Sequence, residues 1–306
     1  MKKLLVITLL IYFNVIAFPQ SVTFMAIGDW GREGKYLQQE TADQMGIYAD
    51  KNSPDFIISL GDNIYNAGVT NTTDPKWQTC FENIYTASSL QIPWYAALGN
   101  HDYGGNVQAQ IDYSEISSRW KMPSRYFAFE KKIDETFSVL FVIIDTSPFI
   151  ESYKKKEKEN TELNDNSFKD INKQDTKVQL TWLDSVLSSS KAKWKITAGH
   201  HPIYTGGEHG NTIELIEQLK QILEKNNVNM YMAGHDHDMQ HLKVPSSVLN
   251  YFISGAGSKV RKTGKMEYSL FSHSENGFLY VNVSTAEINC KFISVNGDNL
   301  YEYVIK

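Results

Sequence analysis

SLGDNIYNAG, Ser59 to Gly68, begins as an apolar run, turns at Gly61 and delivers Asp62, with Tyr65 three residues later. The run leading into it, DFIISL, is short and rich in isoleucine, the mark of a strand buried on both faces. Four further segments share this order of a β-rich run, a glycine and then polar residues. They are VTFMAIGDWG (Val22–Gly31), IPWYAALGNHD (Ile92–Asp102), KWKITAGHHP (Lys193–Pro202) and VNMYMAGHDHD (Val228–Asp238). Between them lie KYLQQETADQMGIYADK, TWLDSVLSSS and TIELIEQLKQILEKN, whose apolar residues recur at helical spacing. Strands alternating with helices predict an α/β fold. In such sheets ligands gather at the carboxyl ends of the strands, where all five polar clusters stand.

The tail differs. LNYFISGAG, GFLYVNVS, INCKFISV and LYEYVI are strand-like with no helix between them. They predict mostly antiparallel strands of a second sheet in the same domain, joined there by a hairpin over Tyr126–Asp145. The stretch Glu151–Lys177 holds seven lysines and seven acids and almost nothing apolar, which predicts a solvated surface loop at 151–177. A lid over the site is the functional alternative for that loop.

Length and composition narrow the class. At 306 residues, 42% hydrophobic and 21% charged, the chain is long enough for a packed core and is neither disordered nor a multispan membrane protein. Residues 1–20 carry Lys2 and Lys3 ahead of an uncharged apolar run, the layout of a secretory signal peptide. The run from Leu4 to Phe18 is short for a membrane span and Asn14 interrupts it, which argues against an anchor. The expected mature chain, 21–306, is one domain, secreted or periplasmic, with no stable membrane insertion. Loss of the two lysines takes the net charge from −5 to about −7, which gives no general attraction for nucleic acid. Cys80, in a helical stretch, and Cys290, in a strand-like run, read as two separate buried thiols.

Each polar cluster alone is weak; their sum at five strand ends is not. Asp29, Asp62, Tyr65 and His237 form a set with three anionic oxygens once deprotonated, suited to a hard ion such as Fe³⁺. Asn100, His200 and His235, sharing Asp62, form a less anionic set suited to a divalent Zn²⁺, Fe²⁺ or Mn²⁺. Asp62 has two oxygens and can bridge. Two metals so placed would clamp a phosphoryl group and generate hydroxide between them.

The set GDWG, GDNIY, GNHD, AGHH and GHDH resembles the purple acid phosphatases. Gly31 stands where the wider metallophosphoesterases carry the histidine of an opening D-x-H, and Tyr65 is present, which is the purple acid phosphatase pattern. Glu208–Gly210 (EHG), the segment GNHDYGGNVQAQIDYS and the ISGAGSK turn further resemble the small tartrate-resistant type. The resemblance runs from about Val22 to the C-terminus. It implies a four-layer sandwich, two mixed β-sheets flanked by helices. It implies Fe³⁺ on Asp29, Asp62, Tyr65 and His237, and a second metal on Asp62, Asn100, His200 and His235. His101 and His209 match the family's non-ligand histidines, which contact substrate and help in proton transfer. His201 stands where a tyrosine often sits; a neutral substitution is expected, with a spare hydrogen-bond donor behind the ligand histidine as the alternative. The 151–177 stretch falls where small members carry a loop that represses activity until cut, but its sequence is not recognisably the same.

The expected activity is hydrolysis of phosphate monoesters, small or protein-borne, by a metal-bound hydroxide with His101 as proton donor. Diesters, nucleotides or pyrophosphates are alternative substrates on the same scaffold. A binding protein with its chemistry lost is the alternative of another class, and it would be expected to show broken ligand positions.

Overall fold

The computed structural model describes residues 21–159, 168 and 170–306; residues 1–20, where a signal peptide is expected, lie outside them. In chain order the first elements are β1 (Ser21–Ile27), α1 (Gln38–Asn52), β2 (Phe56–Ser59), β3 (Trp94–Ala96), α2 (Val107–Asp112), β4 (Trp120–Lys121), β5 (Phe127–Lys132) and β6 (Ser138–Ile143). Next come α3 (Glu151–Glu159), α4 (Thr176–Ser189), β7 (Trp194–Ala198), α5 (Ile213–Gln218), α6 (Lys220–Lys225), β8 (Met230–Ala233) and β9 (Met239–Lys243). The chain closes with β10 (Asn250–Ser254), β11 (Ser269–His273), β12 (Gly277–Ser284), β13 (Ile288–Ser294) and β14 (Asn299–Ile305).

Two mixed seven-stranded sheets result. The first runs β14-β13-β12-β1-β2-β3-β4 and the second β11-β9-β10-β8-β7-β6-β5. The parallel runs β1–β2–β3 and β6–β7–β8 carry the five polar clusters at their carboxyl ends. Side-chain alternation explains the layering. Phe24, Ala26, Phe56, Ile58, Phe141, Ile143, Met230 and Met232 meet between the sheets. Their neighbours Met25, Ile27 and Ile57 turn outward onto Ala42, Met45 and Ala49 of α1. On the other side Leu140, Val142, Tyr231 and Ala233 pack with Leu183 and Leu187 of α4 and with Leu215 and Leu223. Strands buried on both faces explain the near-continuous apolar runs. Phe24 and Phe56 stack at 5.4 Å, and Phe141 from the other sheet meets both edge-on at 5.4 and 5.2 Å.

Three expectations need correction. The tail strands do not share one sheet: β10 and β11 join the hairpin β5–β6 in the second, whereas β12–β14 extend the first through the antiparallel pair β1–β12. β10 is also parallel to β8. Alternation fixes which face of a strand is buried, not which neighbour it takes. The charged 151–177 stretch is not all loop. Its first nine residues form α3, with no buried side chain and Lys–Glu pairs at Lys154–Glu151 and Lys155–Glu159. Residues 160–167 and 169 lie outside the described part. The helix expected over Thr212–Asn226 is interrupted at Leu219, although Leu215, Leu219 and Leu223 still bury one face. Cys80 and Cys290 are both free and buried, and Cys80 lies on a six-residue π-helix, Trp77–Glu82.

One buried base bears on acid stability. His241 on β9 is fully buried and stacks on Phe252 at 4.1 Å. Its nitrogens meet Tyr301 Oη at 3.0 Å and Asn250 Oδ1 at 3.2 Å. Burial pushes it down to about 4, so between about pH 6.5 and 4 only the unfolded chain takes up this proton. Stability conferred by the neutral imidazole is complete above about pH 6.5 and falls by up to about 3 kcal/mol on the way to pH 4. Denaturant titrations across that range will show the fall in the wild type and a shallower one in His241→Gln; parallel curves would remove this assignment.

Candidate metal centre

Three of the polar residues sit on backbone that turns sharply after its strand. Asp29, Asp62 and His235 have φ of 61°, 51° and 68°. That left-handed region is rare for non-glycine residues, though Asp and His are among those that enter it, and it is found at sites where function holds strain. Neighbouring glycines let these turns close on one another. A Cβ at Gly99 would stand 2.1 Å from Asp62 N, and one at Gly234 would stand 2.5 Å from Asp29 Oδ2.

The side chains fall into two groups that divide the oxygens of Asp62. In the first, Tyr65 Oη lies 2.9 Å from Asp29 Oδ1, 2.8 Å from Asp62 Oδ2 and 3.3 Å from His237 Nε2. His237 Nε2 is 3.4 Å from Asp29 Oδ1. In the second, His200 Nε2 lies 3.2 Å from Asn100 Oδ1, 3.5 Å from Asp62 Oδ1 and 3.2 Å from His235 Nδ1. Asp29, Asp62 and His200 can present donor atoms within 4.8 Å of one another.

Proton inventory shows what this arrangement lacks. His200 Nδ1 donates to Leu60 O at 2.9 Å and His237 Nδ1 to Lys259 O at 2.6 Å. A carbonyl only accepts, so Nδ1 holds the hydrogen in each ring and Nε2 is the nitrogen turned into the site. The single Tyr65 proton cannot serve both carboxylates. Asp29 and Asp62 are 0% and 2% exposed, and among the described residues neither has a lysine or arginine ion-pair partner. Buried acceptors crowded against imidazole nitrogens are costly without a cation, so the donor set fits metal ions. Protein charge alone opposes ionisation of Tyr65: burial, then Asp29 and Asp62, raise it well above the usual phenol range. Burial penalises the Asp62 carboxylate, but His200, His101 and the His101 N–H together hold it below the usual range. Burial and the surrounding imidazoles keep His235 neutral, ready to offer a lone pair.

Two further histidines stand at the rim. His101 Nδ1 donates to Asn66 O, which leaves Nε2 free, 3.9 Å from Asp62 Oδ2. His209 Nδ1 meets Asp236 Oδ1 at 2.8 Å, Nε2 takes a hydrogen bond from Arg261 Nη1 at 3.1 Å, and the ring lies 4.1 Å from that of His235. All nine residues singled out from the sequence therefore converge. His201 has contacts of its own, as the spare-donor alternative expects. It is 2% exposed, its Nδ1 meets Thr146 Oγ1 at 2.8 Å, and its Nε2 meets Tyr153 Oη on α3 at 3.2 Å. The charged stretch is thus tied to the site at its start.

Sequence reading missed the supports behind these groups. Asp102 accepts from Gly99 N, Gln110 Nε2, Asn63 N and Asn63 Nδ2 at 2.8–3.2 Å, joining the loops that carry Asp62 and Asn100. Burial, with the Asp62 charge, raises it to about 6. It stands inside GNHD, but nothing in the motif separates it from the two residues before it. Asp236, which orients His209, and Arg261 likewise carry no signature of their own.

The family model described as calcineurin-like phosphoesterase matches residues 22–239. Purple acid phosphatase 3 of Arabidopsis thaliana is 40% identical over 292 residues, spanning 92% of this chain and 77% of that one. Tartrate-resistant acid phosphatase type 5 of Homo sapiens is 33% identical over 302 residues, spanning 92% and 90%. Among solved structures, GAP50, described as the anchor in the inner membrane complex of Plasmodium, superposes with a TM-score of 0.79 at 24% identity. That alignment covers 94% of this chain and 89% of that one, and it carries the fold alone.

Asp102→Ala should leave Gly99 and Asn63 without their acceptor and loosen both ligand loops. Metal affinity is expected to drop about ten- to a hundredfold, measured by competition with a chelator. Wild-type affinity in the variant would show that Asp102 supports nothing but the fold.

Proposed function

The chain belongs to the purple acid phosphatases of the calcineurin-like phosphoesterase family, and we propose that it hydrolyses phosphate monoesters at a mixed centre of Fe³⁺ and a divalent ion. It is a dinuclear metal acid phosphatase. The observation that carries the finer reading is the division of Asp62, Oδ2 toward Tyr65 and Oδ1 toward His200. Asp29, Asp62, Tyr65 and His237 would hold Fe³⁺, because phenolate and carboxylate suit a hard trivalent ion. Asp62, Asn100, His200 and His235 would hold Zn²⁺, Fe²⁺ or Mn²⁺. When bound, the two ions supply Lewis acidity that activates water at low pH and neutralises charge on the phosphoryl group.

The chain's own residues do the rest. His101 carries the proton for the leaving oxygen at Nε2, while Nδ1 stays tied to Asn66 O and fixes the ring. Asp236 and Arg261 hold His209 at the mouth, where it contacts the ester. The substrate is a small phosphomonoester or a phosphoprotein, and the chain is exported by its first twenty residues. A binding role on this fold, such as the anchor named for GAP50, finds no support in the ligand set: all seven positions carry residues able to bind metal.

Metal analysis of the purified protein, with a visible spectrum and an aryl phosphate assay at acidic pH, tests the reading. One iron and one further metal per chain, a purple colour and turnover are expected; two divalent ions, no colour and an alkaline optimum would refute it. Tyr65→Phe is expected to abolish the visible charge-transfer band, and a retained band would exclude Tyr65 as a ligand. His101→Ala should keep both metals and lose about a hundredfold or more in kcat; an unchanged kcat would take the proton-donor role from His101.

A further inference from the structure

Beside the metal centre lies a pocket of about 390 Å³ that neither the ligands nor the rim histidines account for. Its walls include Arg32, Lys35 and Lys76, with Glu33 as the one acid, and it borders the centre through Tyr65 and Asn66. The chain as a whole carries a charge of −5, so a cationic hollow at this place is not a reflection of its composition.

We propose that this pocket is a subsite for a second phosphate on the leaving group of the substrate. The proposal rests on the phosphatase reading above and deepens it.

Arg32 makes the case. Its guanidinium carbon lies over the Tyr65 ring, 3.4 Å from the centroid. Among the described residues no carboxylate pairs with it and no acceptor takes its side-chain donors; its Nε is buried and unpartnered. A guanidinium seated over a ring and without acceptors of its own keeps its donors for an oxyanion, and Arg–phosphate pairing is the strong form of that contact. Lys76 is held in the wall by Gly68 O at 2.8 Å, and a lysine so anchored keeps further donors. Lys35 is partly neutralised by Glu33 at 2.9 Å and adds less.

The backbone of the wall is built rather than casual. Glu33, Gly34, Tyr36 and Leu37 have φ of 56°, 76°, 58° and 62°. Three of these are not glycine, and such clusters persist where the surroundings enforce them. The buried Gln38 does so from below, accepting from Arg32 N at 2.9 Å and Gly34 N at 2.8 Å and donating to Cys80 O at 2.8 Å.

His101 stands between the centre and the pocket. Asn66, whose carbonyl holds His101 Nδ1, also lines the pocket. Nε2 faces Asp62 Oδ2 at 3.9 Å, so in this proposal the second phosphate reaches past the ring from a leaving oxygen at Nε2 to the pocket wall. With inorganic diphosphate, water oxygen bonds to one phosphorus, the bridging P–O bond breaks, and the second phosphate leaves protonated.

The test compares inorganic diphosphate with phenyl phosphate, whose leaving group carries no further charge, using the metal-loaded full chain. In Arg32→Met and, separately, Lys76→Met, the ratio of kcat/KM for diphosphate to that for phenyl phosphate is expected to fall about tenfold or more, the scale of a lost charge-assisted hydrogen bond. Calorimetric affinity for methylenediphosphonate should fall by a similar factor relative to inorganic phosphate. Equal losses on both substrates would place Arg32 in the service of Tyr65 instead, and unchanged ratios in both variants would leave the pocket without this role. No turnover of phenyl phosphate by the wild type would sink the phosphatase reading itself, and the diphosphonate titration would still decide on the pocket.

Discussion

The site depends on two sheets meeting at one rim closely enough for their loops to share hydrogen bonds. Gly28 N donates to Ser254 O at 2.7 Å, Ser254 Oγ to Ala26 O at 3.0 Å, and Gly257 N to Gly28 O at 3.2 Å. Ser258 Oγ reaches Asp29 O as well. These bonds join β1 of one sheet to the turn after β10 of the other. They bring Asp29, Asp62, Tyr65 and Asn100 from the first sheet against His200, His235 and His237 from the second. The ISGAGSK turn is the seam.

The seam also accounts for the electrostatics. Carboxylates and imidazole nitrogens are pressed together out of water, and among the described residues no lysine or arginine is within ion-pair reach of Asp29 or Asp62. Rigidity behind the ligands comes from polar chains such as Trp30 Nε1 to Ser59 Oγ at 2.8 Å, Ser59 to Asn63, and Asn63 to Asp102. Each member is satisfied, which is what makes a buried network specify one arrangement.

Much of this was legible in the sequence, because strand ends that finish in glycine and a ligand-type residue repeat five times. Asp29, Asp62 and His200 each follow a run whose burial is written in its residues, so place and chemistry could be read together. The partner of each strand could not. β12 and β10 look alike as apolar runs yet belong to different sheets, since period-two patterning carries no information about the neighbour. Asp102, Asp236 and Arg32 were also missed, because their roles come from contacts with residues distant in sequence. α3 was hidden for a different reason: a helix held by Lys–Glu pairs, with nothing buried, has no apolar period to detect.

A proposed ligand set drawn from both sides of a seam has a thermodynamic consequence. Tyr65 and His237 lie 172 positions apart in the chain, Asn100 and His200 a hundred. An ion held by either set is a cross-link between the two halves of the molecule, one that the unfolded chain cannot assemble. Its binding free energy is then folding free energy, and at about a hundred times the dissociation constant one ion adds about 2.7 kcal/mol. Withdrawing metal would thus lower the cohesion of the whole domain, and the supply of ions where the chain folds would govern how much native protein accumulates.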